Sequence, residues 1–239
     1  MKHAVVVGAS SAIGNAIATR LTREGFAVSG LSRRGPVACD VTDDASVHDA
    51  FARAVAALGP PRLLVYASGA AAMGRTDAVP AAIARAAFEV NFFGLDRAVR
   101  AVVPGMVGEG GGAIVAVLSL AARRAVPYES YYAASKAAAA RYLECLAHEV
   151  EPKGVRVLAL CPGFIDTGFL ERGGWYGMAA PRVKGSGTTP DRIADLVARF
   201  ARGKRVSSVV GWRENAIVLA DRFAPGLYDR LLRRRSRGP

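Results

Sequence analysis

The sequence predicts an α/β fold, in which a doubly wound parallel sheet carries helices on both faces. Short apolar runs rich in β-branched residues alternate along the chain with longer, alanine-rich stretches. These runs are apolar on both faces, as expected for parallel strands that helices cover from two sides. A glycine-containing turn follows the first run within the first fifteen residues and opens a helical pattern. Together these features favour a single α/β domain.

The apolar runs predict seven strands in one domain that spans residues 1–239. The chain has 51% hydrophobic residues and is long enough to bury one substantial core. The first helix, over 12–25, has Ile13, Ile17 and Leu21 at helical spacing and ends at Gly25. The predicted strands are residues 3–8, 26–32, 36–40, 62–68, 112–119, 155–161 and 205–211.

The connection between the second and third predicted strands is unusually short. Only four residues separate Arg34 from Cys39. Parallel strands are normally joined by a crossover of a dozen or more residues, usually a helix. We therefore predict that this crossover helix is missing, which leaves open how the third strand attaches.

Composition argues against several classes of protein. The three cysteines are far apart and form no CxxC, and the three histidines have no ligand spacing. A reduced, cytoplasmic protein without a metal site is the simple interpretation. No apolar run reaches the roughly 18 residues of a transmembrane helix, and the N-terminus lacks the pattern of a signal peptide.

The net charge is +12 at pH 7, and arginines crowd the C-terminal segment of about 213–239. No nucleic-acid motif accompanies this charge, so we expect no nucleic-acid partner. A solvated, solubilising end is the simple interpretation. Leu219, Phe223, Leu227 and Leu231 also fall at helical spacing near these arginines. Such a stripe usually packs on the domain or on a partner subunit, but it could lie on an anionic membrane surface.

The first turn is typical of a dinucleotide site. Gly8 and Gly14 flank it, and glycines there let the backbone and a helix N-terminus approach a pyrophosphate. A purely structural turn is the alternative. The second strand ends in Arg33 and Arg34, at the point where NAD sites usually place an acidic residue. Guanidinium suits a 2′-phosphate, so we predict NADP(H) unless the two arginines are merely solvated.

Three tyrosines and one lysine lie within "VPYESYYAASKAA", residues 126–138. On a helix, residues four apart lie on one face. Tyr132 alone has a lysine there, Lys136, whereas Tyr128 and Tyr131 do not. An ammonium group stabilises a phenolate, so Lys136 is predicted to lower the pKa of Tyr132. Tyr128 and Tyr131 are expected to serve in packing or in a pocket wall.

With these features in place, the chain resembles the short-chain dehydrogenase/reductase family along nearly its whole length. Five pieces occur in the family's order and spacing. They are Asp40 in "CDVTD", Asn91 in "VNFFG", Ser119, Tyr132 with Lys136, and "CPGFIDT" from 161 to 167. The resemblance implies a Rossmann-type sheet of about seven strands in the order 3-2-1-4-5-6-7.

The resemblance also implies a role for each catalytic candidate. A cationic nicotinamide, together with the Lys136 ammonium, would stabilise the Tyr132 phenolate and lower its pKa. Tyr132 would be the general acid in carbonyl reduction and the general base in alcohol oxidation. Lys136 would hold the nicotinamide ribose, and Ser119 would position the substrate oxygen. Asn91 would assist a water-linked proton path to the lysine. Thr167 would hold the nicotinamide carboxamide.

The implied cofactor site draws on the glycine turn, the second to fourth strand ends and the motif after the sixth strand. Its members are Gly8, Ser10, Ser11, Ala12, Ile13, Gly14, Arg33, Arg34, Asp40, Val41, Ala67, Ser68, Gly69, Asn91, Tyr132, Lys136, Pro162, Gly163, Ile165 and Thr167. The chain departs from the family pattern at Val7, at Ala12 and in "YASG", where an Asn-Asn-Ala-Gly is usual.

The segment of about 168–190 falls where the family carries its substrate-covering loop. It and the preceding motif supply apolar candidates for the substrate pocket, namely Phe164, Phe169, Trp175 and Tyr176. We expect a partly hydrophobic ketone or aldehyde, or its alcohol. "PGFIDT" also resembles β-ketoacyl-thioester reductases, and Arg123, Arg124 and Arg172 would then form a basic rim for an acidic acyl carrier protein.

Two further expectations follow from the resemblance. The helical stretches over 82–107 and 130–151 pair across a two-fold axis in the family, so a homodimer or homotetramer is expected. Some relatives bind NADP(H) without catalysis, as sensors or scaffolds, and those typically lose the serine, tyrosine or lysine. All three residues stand here at 119, 132 and 136, which favours an enzyme.

Overall fold

The computed structural model describes residues 2–169, 173–180, 187–224, 226, 229 and 230. Six strands form one parallel sheet: β1 His3–Val7, β2 Ala27–Ser32, β3 Val37–Ala38, β4 Leu63–Tyr66, β6 Gly112–Val117 and β7 Val155–Leu160. They lie in the order β3-β2-β1-β4-β6-β7. Two further short strands, β5 Met73–Gly74 and β8 Trp175–Tyr176, pair with each other in a separate parallel ribbon. The predicted Rossmann-type order is thereby confirmed for the first six predicted strands.

The predicted seventh strand is reduced to a single bridge. Of the residues expected to form it, Val209 alone pairs with the sheet, opposite Cys161. Ser208 lies beside the edge of β7, where its hydroxyl donates a hydrogen bond to the carbonyl oxygen of Ala159. Gly211 has a φ of +100° and is followed at once by a helix, so the extended segment cannot continue.

Helices lie between and around the strands. Side-chain caps begin several of them: Ser11 accepts a hydrogen bond from the Gly14 amide, and Asp43 accepts one from the Ser46 amide. The helices are α1 Ala12–Arg23, α2 Asp44–Leu58, α3 Ala81–Phe88, α4 Gly94–Gly108, α5 Ser130–Val150, α6 Pro190–Ala201 and α7 Trp212–Phe223. A single π-helical turn, Glu89–Phe93, joins α3 to α4.

The sheet separates two apolar cores, which explains why its strands are apolar at nearly every position. Leu64 and Ile114 contribute to the core beneath α2, α4 and α5. Their neighbours Val65 and Val115 contribute to the opposite core, beneath α1 and α6. Successive strand residues point to opposite faces, and each fully buried valine, leucine or isoleucine contributes about 1.5–3 kcal/mol.

The edge strand β3 attaches through a four-residue turn, with no helix in residues 33–36, as predicted. Only two residue pairs join it to β2, Leu31 with Val37 and Ser32 with Ala38. The amide of Cys39 then donates to the carbonyl oxygen of Ser32. A strand this short needs no long crossover, and it delivers Asp40 directly to the carboxyl end of the sheet.

Helix α7 presents an apolar stripe to solvent. Trp212, Leu219 and Phe223 are 77%, 52% and 78% exposed, so within this chain the stripe does not pack on the domain. Leu227, Leu231 and the arginines after Arg230 lie outside the described residues. Among the helices that the structure does describe, none combines the length and the apolar character needed to cross a membrane.

Candidate active site

A cavity of about 780 Å³ opens at the carboxyl ends of the strands. Ligands of open parallel α/β sheets bind at this edge, where the loops after the strands converge. The volume lies within the usual range of about 300–1,000 Å³ for small-molecule sites. Its walls come from the turns after β1, β2, β4, β6 and β7 and from the first turns of α5.

The glycine turn after β1 forms one end of this cavity and is packed too tightly for side chains. Gly8 has a φ of +85°, and a Cβ added there would lie 2.7 Å from the Ser68 amide nitrogen. A Cβ on Gly14 would lie 2.1 Å from the Gly8 carbonyl oxygen. This packing brings the N-terminus of α1 to the cavity, where its free amides and positive dipole suit a pyrophosphate.

The β2 and β3 ends form the next part of the wall. Arg33 lines the cavity and is exposed, whereas Arg34 is not among its lining residues. The Asp40 carboxylate accepts hydrogen bonds from the Thr42 amide at 3.0 Å and the Thr42 hydroxyl at 2.8 Å. These bonds hold the pKa of Asp40 below its usual value, so the carboxylate stays ionised.

The three predicted catalytic side chains meet in the cavity. Tyr132 and Lys136 lie one turn apart on α5, and both are buried. The Lys136 ammonium lies 5.9 Å from the centre of the Tyr132 ring and donates to the Val117 carbonyl oxygen at 3.4 Å. Ser119 follows β6, and its oxygen accepts a hydrogen bond from the Ala121 amide at 3.2 Å.

Burial sets the acidity of this group. It raises the pKa of Tyr132, and the opposing effect of the nearby Ser119 hydroxyl is smaller. Burial also lowers the pKa of Lys136 to about 8. The lowering of the phenol's pKa by Lys136 and a cationic nicotinamide stays a prediction. Tyr132 is a phenol at neutral pH and can donate a proton.

Asn91 lies in the π-helical turn and is fully buried. Its amide oxygen accepts from the Ala70 amide at 3.0 Å, and its amide nitrogen donates to the Ala70 carbonyl at 2.9 Å. The same nitrogen donates to the Ser135 hydroxyl at 2.9 Å. Asn91 does not line the cavity but ties the loop after β4 to α5. Its predicted role in a proton path stays a prediction.

Most of the predicted cofactor residues share this cavity. Those that line it are Gly8, Ser10, Ser11, Ala12, Ile13, Arg33, Asp40, Val41, Ala67, Ser68, Gly69, Tyr132, Lys136, Pro162, Gly163, Ile165 and Thr167. Gly14, Arg34 and Asn91 are not lining residues. Gly14 packs against the Gly8 carbonyl behind the cavity wall, and Asn91 supports the wall through its hydrogen bonds to Ala70 and Ser135.

The opposite end of the cavity is apolar. Three of the predicted substrate residues, Phe164, Phe169 and Trp175, line the cavity, and the Phe169 and Tyr132 ring centres lie 5.9 Å apart. Met73, which sequence reasoning missed, packs beside them and is fully buried. Tyr176 lies outside the cavity and packs with Tyr131. Residues 170–172 and 181–186 of the predicted loop lie outside the described residues.

The ribbon of β5 and β8 holds the described part of this loop across the apolar end. The Arg75 amide donates to the Tyr176 carbonyl oxygen at 2.9 Å. Gly74 has a φ of +126°, and a Cβ there would lie 2.2 Å from the same oxygen. Sequence reasoning missed this pair because two-residue strands carry no periodic signal.

Glu129 is a further lining residue that sequence reasoning missed. It stands three residues before Tyr132, a spacing that places two residues on one side of a helix and could have drawn attention to it. Of the predicted basic rim, Arg124 lines the cavity, while Arg123 forms an ion pair with Glu144. Arg172 lies outside the described residues.

Comparison with known proteins agrees with this geometry. The family model described as short chain dehydrogenase matches residues 2–173. A 3-ketodihydrosphingosine reductase of Bacteroides thetaiotaomicron is 31% identical over 175 residues, which cover 70% of this chain and 65% of that protein. Dehydrogenase/reductase SDR family member 7B of Danio rerio is 29% identical over 209 residues, with coverages of 83% and 67%. The chain thus spans about two thirds of the length of these relatives.

A solved structure extends the likeness to nearly the whole chain. A short-chain dehydrogenase from Burkholderia cenocepacia in complex with NADP superposes with a TM-score of 0.82 and 29% identity. The match covers 97% of this chain and 99% of that one. Together with the family model, which covers well over half of the 239 residues, this result identifies the chain as a member of the short-chain dehydrogenase family.

Proposed function

We propose that the protein is an NADP(H)-dependent oxidoreductase that interconverts a carbonyl and an alcohol on a partly hydrophobic substrate. One observation carries this proposal: Ser119, Tyr132 and Lys136 meet in a cavity whose other end is the glycine turn before α1. Proton-transferring side chains and a dinucleotide cradle in one cavity suit hydride transfer combined with proton transfer.

The residues present fit a nicotinamide dinucleotide. The Gly8 turn and the N-terminus of α1 would hold the pyrophosphate. Arg33 lines the cavity at the end of β2, where an acidic residue would favour NAD. Guanidinium pairs well with a phosphate, which supports NADP(H). Lys136 and Thr167, at the other end of the cavity, would hold the nicotinamide half.

When bound, the cofactor supplies or accepts the hydride at the carbonyl carbon. Tyr132 donates a proton to the carbonyl oxygen, and its raised pKa keeps that proton in place at neutral pH. The Ser119 oxygen accepts from the Ala121 amide, so its own hydroxyl proton can be donated to the substrate oxygen. Phe169 and Trp175 shield Tyr132 from water.

The apolar end of the cavity supports a substrate with a hydrocarbon body. Met73, Val126, Phe169 and Trp175 lie around Tyr132. One relative is named as a 3-ketodihydrosphingosine reductase. The proposal includes a β-ketoacyl thioester as a substrate, an acyl carrier protein as a partner, and assembly into a homodimer or homotetramer.

A panel of ketones of increasing chain length, assayed by NADPH oxidation, tests the proposal. NADPH binding without any turnover would favour a sensor or scaffold.

Arg33→Ala should weaken the preference for NADPH over NADH by about 10-fold or more, since a charge-assisted hydrogen bond contributes about 1.5–3 kcal/mol. Calorimetric dissociation constants for both cofactors measure this effect. Arg34→Ala is the matched control, because Arg34 does not line the cavity, and it should change the ratio much less. Equal affinity of the unaltered protein for the two cofactors would contradict the assignment of Arg33.

A further inference from the structure

Glu129 places a carboxyl group in the wall of the cavity, and the mechanism above does not use it. It lines the cavity together with Ser119 and Tyr132. Glu129 stands at the residue that precedes α5, yet its side chain makes no capping hydrogen bond to the helix. The carboxyl group is therefore not explained by the local structure of α5.

Glu129 is half-buried, and its side chain lines the wall of the cavity. Burial raises the pKa of Glu129 to about 7, although the charge of Arg124 acts in the opposite direction. A hydrogen bond to a charged group contributes about 1.5–3 kcal/mol. A ligand that placed a donor against this carboxylate would gain such a bond.

We propose that Glu129 is a specificity-determining residue that binds a hydrogen-bond donor, an amine or a hydroxyl, next to the substrate's carbonyl carbon. The inference rests on the proposed function and deepens it. Glu129 stands three residues before Tyr132, and both side chains line the same cavity. A substrate whose carbonyl oxygen meets Tyr132 would hold its neighbouring substituent near Glu129. The preferred substrates are therefore amino or hydroxy ketones with an apolar chain.

The apolar walls fix which way such a substrate lies. Val126, Phe169 and Trp175 surround Tyr132 and would cover the hydrocarbon chain. Glu129 would then provide a hydrogen-bond acceptor for the substrate at the N-terminal end of α5. The other charged and titratable groups that line the cavity are Arg33, Cys39, Asp40, Arg124, Tyr132 and Lys136. These groups are the same for every substrate, so ratios of kcat/KM between substrates isolate the effect of Glu129.

Three ketones of equal chain length test the proposal: a 3-ketone, its 2-hydroxy derivative and its 2-amino derivative. The unaltered protein should show kcat/KM values about 10-fold or more higher for the two derivatives, as expected when a carboxylate in the cavity wall gains a donor. Glu129→Gln should reduce that preference about 10-fold. Glu151→Gln, on the exposed turn after α5, is the matched control and should leave the ratio unchanged.

The pH dependence supplies a second readout. The hydroxyl group of the 2-hydroxy ketone does not titrate, so its advantage over the plain ketone should rise as pH increases from 6 to 8 and Glu129 ionises. The rise should be absent in Glu129→Gln. An equal loss of rate on all three ketones in that variant would overturn the proposal, because it would mean that Glu129 only positions Tyr132.

Failure of the inference can be told from failure of the proposed function. Turnover of the plain ketone without any advantage for the derivatives would overturn the role of Glu129 and leave the oxidoreductase intact. If no ketone is turned over, calorimetry with the three corresponding alcohols in the presence of NADP still tests whether Glu129 binds the donor group. Tighter binding of the two derivatives, lost in Glu129→Gln, supports the subsite; equal binding of all three alcohols overturns it.

Discussion

Tyr132→Phe should remove nearly all turnover while leaving NADPH binding almost unchanged. The substitution deletes only the hydroxyl that donates the proton, and the ring keeps its packing against Phe169 and Trp175. A positioned general acid contributes about 10²–10⁴-fold, so kcat should fall by that factor. Steady-state kinetics with the best ketone measures the loss, and fluorescence titration with NADPH measures binding.

Tyr131→Phe is the control for this result. Tyr131 is the neighbouring residue on α5, but it packs with Tyr176 in a small cluster away from the cavity. Its hydroxyl has no part in proton transfer, so turnover should change far less. A similar loss of turnover in both variants would contradict the assignment of Tyr132 as the general acid, because the loss would then come from disturbance of α5.

Gly14→Ala should weaken NADPH binding about 10-fold or more and lower the melting temperature by several degrees. A methyl group at this position would lie 2.1 Å from the Gly8 carbonyl oxygen, a backbone atom that cannot move without opening the turn. Forcing an extra group into a packed site typically costs about 1–3 kcal/mol. For a domain of this size, each kcal/mol corresponds to about 2–4 °C.

Gly108→Ala is the matched control, because it makes the same chemical change at the end of α4, where nothing lies within 4 Å of the added methyl. Alanine is the better helix former, so the melting temperature should stay the same or rise slightly. Calorimetric unfolding and NADPH titration of both variants make the comparison. Equal behaviour of the two would show that the glycine turn does not depend on close packing.

The sequence by itself determined the features that depend on local spacing. Apolar runs at every position predicted buried parallel strands, and the four-residue gap after Arg34 predicted the missing crossover helix. The four-residue step from Tyr132 to Lys136 predicted their common helix face. The strand order and the site as a whole came from resemblance to a family. The family and the order of the first six predicted strands are confirmed, and the roles of the site residues stay predictions.

Only the tertiary structure decided what depends on packing between distant segments. It showed that burial raises the pKa of Tyr132, that Asn91 ties Ala70 to Ser135, and that Glu129 lines the same cavity as Tyr132. It also showed that the seventh strand is a single bridge. Spacing along a chain fixes which side of an element a residue occupies. Burial and partners depend on the elements packed against that side, and these come from elsewhere in the sequence.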